Sequence, residues 1–248
     1  MRKMLLPLVI IAFGVQAEMT PAVTEPYDVI KVTTEVEGMI SEYNRDIGEQ
    51  TYDDNILIKI NDERIKIQKE FAKEEFEQAI VEKEYYTKKL KRLENLLKRN
   101  NLSESEYDDV LFQLNTASNK INQKSLTLKE REKDLKDTRI YGKDGYIVSK
   151  RNIEVGQYVT SGTELYELID IRKLKVSILA SEKIAPYFYV GQEVSVLIDG
   201  KKHIGRVKYK GISMAENTYA YPVVVVIENK DNSIPVSKTV FVDYGEFW

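Results

Sequence analysis

The side chains that most often do chemistry are scarce in this 248-residue chain. Its single histidine, His203, sits between Lys202 and Ile204, and there is no cysteine. No second histidine and no cysteine therefore exist to complete a zinc site. Soft cations such as copper or silver need clustered methionines. Beyond the N-terminal apolar run, only Met19, Met39 and Met214 remain, and they are far apart. Asp53-Asp54 lacks the ligand spacing of a calcium loop and reads as the decoration of a turn. The 16 tyrosines are dispersed, which suits strands and interfaces better than a cofactor box. His203 is expected as a surface imidazole on a strand, and no catalytic, metal or cofactor site is expected. Function must then lie in surfaces, and in the elements that present them.

The dominant element runs from Asp62 to Lys136 without a proline or a glycine. In its first half, Ala72, Ala79, Tyr86 and Leu93 form one seven-residue column, and Phe76, Leu90 and Leu97 form a second, broken at Lys83. The second half repeats Tyr107, Leu114, Ile121, Leu128 and Leu135 at the same interval. Sustained heptads flanked by charge predict coiled-coil helices. The break falls near Asn100-Asn101-Leu102-Ser103, where Asn-Asn can end one helix. Ser103, with Glu106 three residues on, can start the next as a capping box. So short a turn predicts an antiparallel pair with arms of about 50 Å.

A formal net charge of -3 offers no general reason to bind nucleic acid. Lys88, Lys89, Lys91, Arg92, Lys98 and Arg99 make one local basic run, but glutamates at 82, 84 and 94 interleave with it. It is expected as a solvated helix face that can also steer the helix end toward an acidic surface. At the N-terminus, Arg2 and Lys3 precede an apolar run from Leu5 to Val15, and Val15-Gln16-Ala17 offers a cleavage site. This pattern predicts a cleaved signal peptide over residues 1–17, with an uncleaved anchor as the alternative. Without cysteine, neither a thioether lipid anchor nor a disulfide can form. Residues 18–26, with Pro21 and Pro26, read as an extended leader, and Tyr27–Val36 as a strand.

An internal repeat flanks the helical stretch. Glu37-Gly38-Met39-Ile40 is echoed by Asp144-Gly145-Tyr146-Ile147, at an offset of 107. Asp46-Ile47-Gly48-Glu49-Gln50 is echoed by Glu154-Val155-Gly156-Gln157-Tyr158, and Leu57–Asp62 by Leu165–Asp170, at an offset of 108. One inserted residue in the second copy is expected. Gly38, Gly48, Gly145, Gly156 and Gly162 are expected at turns that need positive φ. Where the second copy has Gly162, Asp54-Asn55 of the first is expected to hold the left-handed turn. Two half-copies around a helical insertion predict one small β domain split by that insertion. Past Asp170, strands are expected at Leu174–Leu179, Gly191–Gly200, Ile204–Ile212, Tyr221–Glu228 and Thr239–Tyr244, with a short helix from Glu182 to Tyr189. Strands and turns in this rhythm predict a small antiparallel barrel.

The segment Gly145–Leu168 resembles a biotinyl/lipoyl half motif. Its pairing with the Gly38–Asp62 copy across a helical hairpin resembles the periplasmic adaptors, or membrane fusion proteins, of tripartite efflux systems. A lipoyl or biotin carrier would need its modified lysine at the turn that the helices occupy here. The implied fold is α+β: a long antiparallel coiled-coil α-hairpin inserted in a split lipoyl-like β-sandwich, followed by a small antiparallel β-barrel; the membrane-proximal domain that many relatives carry is, as a departure from them, not expected here. The implied boundaries are 1–17 signal peptide, 18–61 leader and first half motif, 62–137 hairpin, 138–170 second half motif and 171–248 barrel. Arg92, Leu96 and Ser103 match the spacing of the family's hairpin-tip motif. That match implies docking on a TolC-like outer-membrane channel. The other implied partners are an inner-membrane transporter and further copies of the chain in a ring, six in the family's assemblies. The second half motif is more like that of RND-associated adaptors; an ABC-type exporter or type I secretion system is the alternative, and a coiled-coil scaffold a further one. Ile234-Pro235-Val236-Ser237 departs from the family's Arg-Pro-Gly-Met turn. The implied location is the periplasm, and the implied role is not enzymatic.

Overall fold

The computed structural model describes residues 19–98, 103–216 and 218–245. The expected signal peptide and the Asn100-Asn101-Leu102 turn lie outside them. The chain is α+β: two long helices, a half-barrel of short strands and a closed six-stranded barrel. In chain order the elements are β1 (Met19–Thr33), β2 (Gly38–Tyr43), β3 (Ile56–Ile60), α1 (Glu63–Leu97), α2 (Glu104–Asp137), β4 (Arg139–Tyr141), β5 (Ile147–Arg151) and β6 (Tyr158–Val159). Then come β7 (Glu164–Ser181), a 3-10 turn (Ala185–Tyr187), β8 (Glu193–Ile198), β9 (Lys201–Lys210), β10 (Ala220–Glu228) and β11 (Thr239–Asp243). The described residues form two compact units, one within 30–168 and one made of 19–29 with those of 169–245.

In the first unit, the two half-copies exchange equivalent backbone hydrogen bonds. Gly48 N–H donates to Val148 O and Gly156 N–H to Ile40 O, both at 2.9 Å. Val148 N–H reaches Glu49 O at 3.0 Å, and Ile40 N–H reaches Gln157 O at 2.8 Å. Asn44 N–H donates to Leu57 O and Asn152 N–H to Leu165 O, again both at 2.9 Å. Every pair of equivalents, 40 with 148, 44 with 152 and 49 with 157, is 108 apart. The expected inserted residue is therefore absent. Thr34 with Thr163, and Gly142 with Asn55, keep the same offset ahead of the first motif. Gly38 is thus the counterpart of Tyr146 rather than of Gly145.

That correction explains the glycines. Gly48, Gly145, Gly156 and Gly162 have φ between 76° and 87°, but Gly38 is not among the positive-φ residues. Gly38 opens β2 because a Cβ there would lie 2.5 Å from Ile60 Cγ2. The turns at Asp46–Glu49 and Glu154–Gln157 match atom for atom. Each closes with an N–H to carbonyl bond, at 3.1 and 3.2 Å, and places its glycine third. In each, the fourth side chain accepts from the first N–H: Glu49 Oε2 at 2.9 Å and Gln157 Oε1 at 3.1 Å. The turn at 52–55 differs from its partner at 160–163. Both close, at 3.1 and 3.0 Å, but only Gly162 takes a left-handed φ. Neither Asp54 nor Asn55 does. The first copy turns without a left-handed residue, as a type I geometry allows.

Both copies feed one core: Ile40 with Val148, Leu57 with Leu165, Ile58 with Tyr166, and Ile60 with Leu168. Tyr166 is fully buried and donates its hydroxyl to Arg45 O at 2.6 Å. β4, β3, β2 and β6 form a four-stranded sheet, and Gln50 bridges to Ile147 of β5.

In the second unit the ring order is β1-β11-β8-β9-β10-β7, and β7 pairs back on β1. Inward positions alternate: Leu174, Val176, Ile178 and Ala180 on β7, and Val223, Val225 and Ile227 on β10. Gly205 of β9 points into this core, where a Cβ would collide with Val225. Asp199 and Gly200, at φ 49° and 76°, turn β8 into β9 as a two-residue hairpin. Residues 19–26, expected as a leader, are strand: Met19 to Val23 pair with Asp243 to Thr239. Prolines mark edges and leaders in a sequence, and the strand that covers this one lies at the other end of the chain. The expected helix at Glu182–Tyr189 shrinks to one 3-10 turn with Pro186 inside it. The departing turn at 234–237 is clamped by the buried Thr24. Thr24 donates its hydroxyl to Pro235 O at 2.9 Å and takes Lys238 N–H at 2.9 Å.

Candidate functional site

α1 and α2 are 35 and 34 residues long, about 50 Å each at 1.5 Å per residue. Lys120 reaches Glu82 at 2.6 Å, and Lys124 reaches Glu75 at 2.9 Å. As one number rises the other falls, so the helices run antiparallel. Ile65, Ala72, Ala79 and Leu90 of α1 meet Val110 and Ala117 of α2 as the buried seam. Small residues let the helices approach closely, and the column at Val110 and Ala117 lies beside the predicted Tyr107–Leu135 column. Two turns further on that column becomes Lys124 and Arg131, and Lys124 turns outward to pair across the helices.

The root of the helix pair is tied to the half-barrel. Ile65 and Leu135 enter its core. Arg64 of α1 pairs with Glu37 at 3.2 Å, and Lys133 of α2 pairs with Glu35 and, at 2.7 Å, with Asp137. These two carboxylates raise the Lys133 ammonium well above its ordinary value. A cleft of about 640 Å³ opens here, lined by Arg64, Arg131, Glu35, Glu37 and Asp134 among others. Its ionic groups pair with one another, Arg131 with Asp134 at 2.8 Å, so it serves as a joint. Exposed pairs add little each, and the apolar plug carries most of the anchoring.

At the far end, Ser103 caps α2, and its hydroxyl accepts from Ser105 N–H at 3.2 Å. It caps the helix as expected, but through Ser105 rather than as a capping box with Glu106, whose N–H donates to Ser103 O at 3.2 Å. Arg92 and Leu96 are exposed on α1, Leu96 at 41%. The turn that would bring Ser103 round to them lies outside the described residues. Opposite the basic run of α1, the first turns of α2 carry Glu104, Glu106, Asp108 and Asp109. The end of the pair is therefore bipolar, and Glu104 and Glu106 fall in the first turn of α2, where the helix dipole favours them.

A second surface had no counterpart in the sequence reading. Ile67, Phe71, Val81 and Tyr85 of α1 are 54–69% exposed. At about 100° per residue, these four share an arc of about 80° with Arg92 and Leu96, roughly 140° round from the seam. On α2, Phe112 and Leu126 are 67% and 66% exposed, on the side away from the seam. The signal was present: Ile67 with Val81, Phe71 with Tyr85, and Phe112 with Leu126 are each two heptads apart. One apolar seam per helix already satisfies the heptad pattern, and this second period hides behind it.

His203 is half-buried on β9 beside Val196. Among the described residues, no group of three His, Cys, Asp or Glu could hold a metal ion. Among them also, no helix is long and apolar enough to cross a membrane.

No protein-family model matches the sequence, and no curated protein does. Solved structures do match its fold. The membrane fusion protein Spr0693 from Streptococcus pneumoniae R6 superposes with a TM-score of 0.72 at 15% identity, over 91% of this chain and 97% of that one. ZneB from Cupriavidus metallidurans gives 0.61 at 18% identity, over 91% and 96%. The periplasmic adaptor protein EmrA gives 0.50 at 14% identity, over 92% and 99%.

Proposed function

We propose that this chain, which has the fold of membrane fusion and periplasmic adaptor proteins, is the non-enzymatic adaptor of a tripartite efflux system. The observation that supports this most is the order of parts. Two half motifs exchange matched hydrogen bonds around a long helix pair, and a closed barrel follows them. In this reading the half-barrel is the lipoyl-like domain and the helix pair is a coiled-coil hairpin. Its tip, with Arg92, Leu96 and Ser103, docks on a TolC-like outer-membrane channel. Signal peptide 1–17 is cleaved, the chain works in the periplasm, and an inner-membrane transporter of the RND type is its other partner. Copies stand side by side in a ring of six. The outer stripes carry that contact, Ile67, Phe71, Val81 and Tyr85 of one copy facing Phe112 and Leu126 of the next. Burying such side chains favours association by about 25 cal/mol per Å² of apolar surface.

The chain has no cysteine, so Ser103→Cys supplies one unique thiol for crosslinking in cells. Capture of an outer-membrane channel protein is expected. Failure to capture any outer-membrane protein would sink the docking assignment. Arg92→Glu and Leu96→Asp should abolish export while helical content and melting stay unchanged, because both side chains are exposed. Ser103→Asp keeps a good cap and Ser103→Ala does not. Equal loss of export in both therefore assigns the hydroxyl to docking rather than to helix stability.

A further inference from the structure

One end of the closed barrel carries a concentration of exposed apolar side chains that the adaptor reading leaves unused. Ile212 is 97% exposed and Tyr219 92%, both in the segment between β9 and β10. Tyr189 and Val190, 63% and 65% exposed, follow the 3-10 turn, with Tyr187 and Met214 nearby in the same two segments. Scattered exposed apolar residues are ordinary; six drawn from two adjoining loops are not. The strand registers bring the loops together. Ala220 stands opposite Ser181 and Lys210 opposite Val223, so both connections leave the barrel at one end. A groove of about 600 Å³ joins them, lined by Pro186, Tyr189, Val190, Ile212 and Tyr221 among others.

The chain enters and leaves the barrel at this same end. Met19 pairs with Asp243, and the next residue, Tyr244, lays its ring 5.6 Å from Tyr187 and 5.8 Å from Phe188. Charge does not select the occupant. Lys183 and Lys210 are offset by Glu182 and Glu216 in the same two loops. What remains is a neutral set of tyrosines around an isoleucine. Such rings bury their bodies in acyl chains and keep their hydroxyls at the headgroups. The lysine stems can lie along the same boundary.

We propose that this end of the barrel binds the interfacial region of a phospholipid bilayer, seating Ile212 and Tyr219 at headgroup depth. The surface goes beyond the adaptor reading, and its test involves neither the helix pair nor any protein partner.

The test uses the chain starting at Glu18, which keeps every described residue and removes the Leu5–Val15 run as a rival source of binding. It is mixed with phosphatidylcholine vesicles, with or without a fraction of phosphatidylglycerol, at low and high salt. Binding is read by co-sedimentation. Binding to pure phosphatidylcholine that survives high salt is the expected result. Ile212→Asp with Tyr219→Asp should weaken it at least about tenfold without lowering the melting temperature. No binding to either vesicle would overturn the proposal, as would binding undiminished in the double variant. Binding that needs phosphatidylglycerol and disappears in salt would also overturn it, by assigning the contact to charge.

Discussion

Gly48 and Gly156 hold equivalent turns with φ of 87° and 85°, and nothing lies within 4 Å of a Cβ built at either. Alanine there meets only backbone strain, about 1–2 kcal/mol. Gly48→Ala and Gly156→Ala should therefore lower unfolding free energy by similar amounts in denaturant titrations. Gly38→Ala should destabilise by collision instead, and Ile60→Ala should relieve part of that, leaving the double variant more stable than the sum of the two singles. Additive effects would remove Ile60 as the cause. Tyr166 gives a pH test. Burial pushes its hydroxyl up to about 12 from an ordinary 10.0. The group folds neutral, so its contribution is intact below pH 10 and lost as pH rises from 10 towards 12. Over that window the wild type should lose melting temperature more steeply than Tyr166→Phe. These residues also mark what a sequence can hide. The echo of Gly38 by Gly145 was persuasive because both precede similar apolar pairs. Only the exchanged bonds of Ile40 and Val148 reveal a register one residue different, and with it two unlike reasons for glycine.

Among the elements, the helix pair was legible because burial and period coincide: Ala72, Ala79 and Leu90, expected as seam, are buried. The outer stripe was not, because an apolar residue on a helix is counted first toward the seam that the helix already has. β1 was half legible. Its β-branched part from Val29 to Thr33 reads as strand, while Pro21 and Pro26 hide the rest until β11 supplies a partner. The stripe makes a prediction of its own. Phe71→Lys with Tyr85→Lys removes two exposed apolar side chains from α1 and touches no seam residue. Sedimentation velocity across a concentration series should show weaker self-association, with helical content and melting temperature unchanged. Phe112→Lys with Leu126→Lys on α2 should do the same. Mixing the two variants should restore pairs but no ring, since the intact α1 stripe of one variant meets the intact α2 stripe of the other while the opposite contact lacks both apolar sides. Undisturbed assembly in either variant would detach the stripe from oligomer formation.

For the whole molecule, the decisive question is whether the helix pair is an insertion or part of the half-barrel's framework. The strands on either side of it are direct neighbours. Lys59 stands opposite Arg139, and Ile60 N–H donates to Thr138 O at 2.8 Å. A two-residue turn from Ile60 to Thr138 can therefore join them in place of residues 61–137. The replacement would shorten a long loop and so lower the entropy lost in closing it. Against that, Ile65 and Leu135 would leave the core, exposing apolar surface worth about 1.5–3 kcal/mol for each side chain fully buried. The copies would keep their other shared contacts, Ile40 with Val148 and Leu57 with Leu165, and all their exchanged hydrogen bonds. The shortened chain should then fold, with a strand-dominated far-UV spectrum, a single cooperative melt and the helical signal gone. It should retain vesicle binding through the barrel end and lose channel capture, because the two surfaces sit on separately folded parts. Unfolding of the half-barrel on removal of the helices would make them structural partners of the repeat rather than an insertion between its copies.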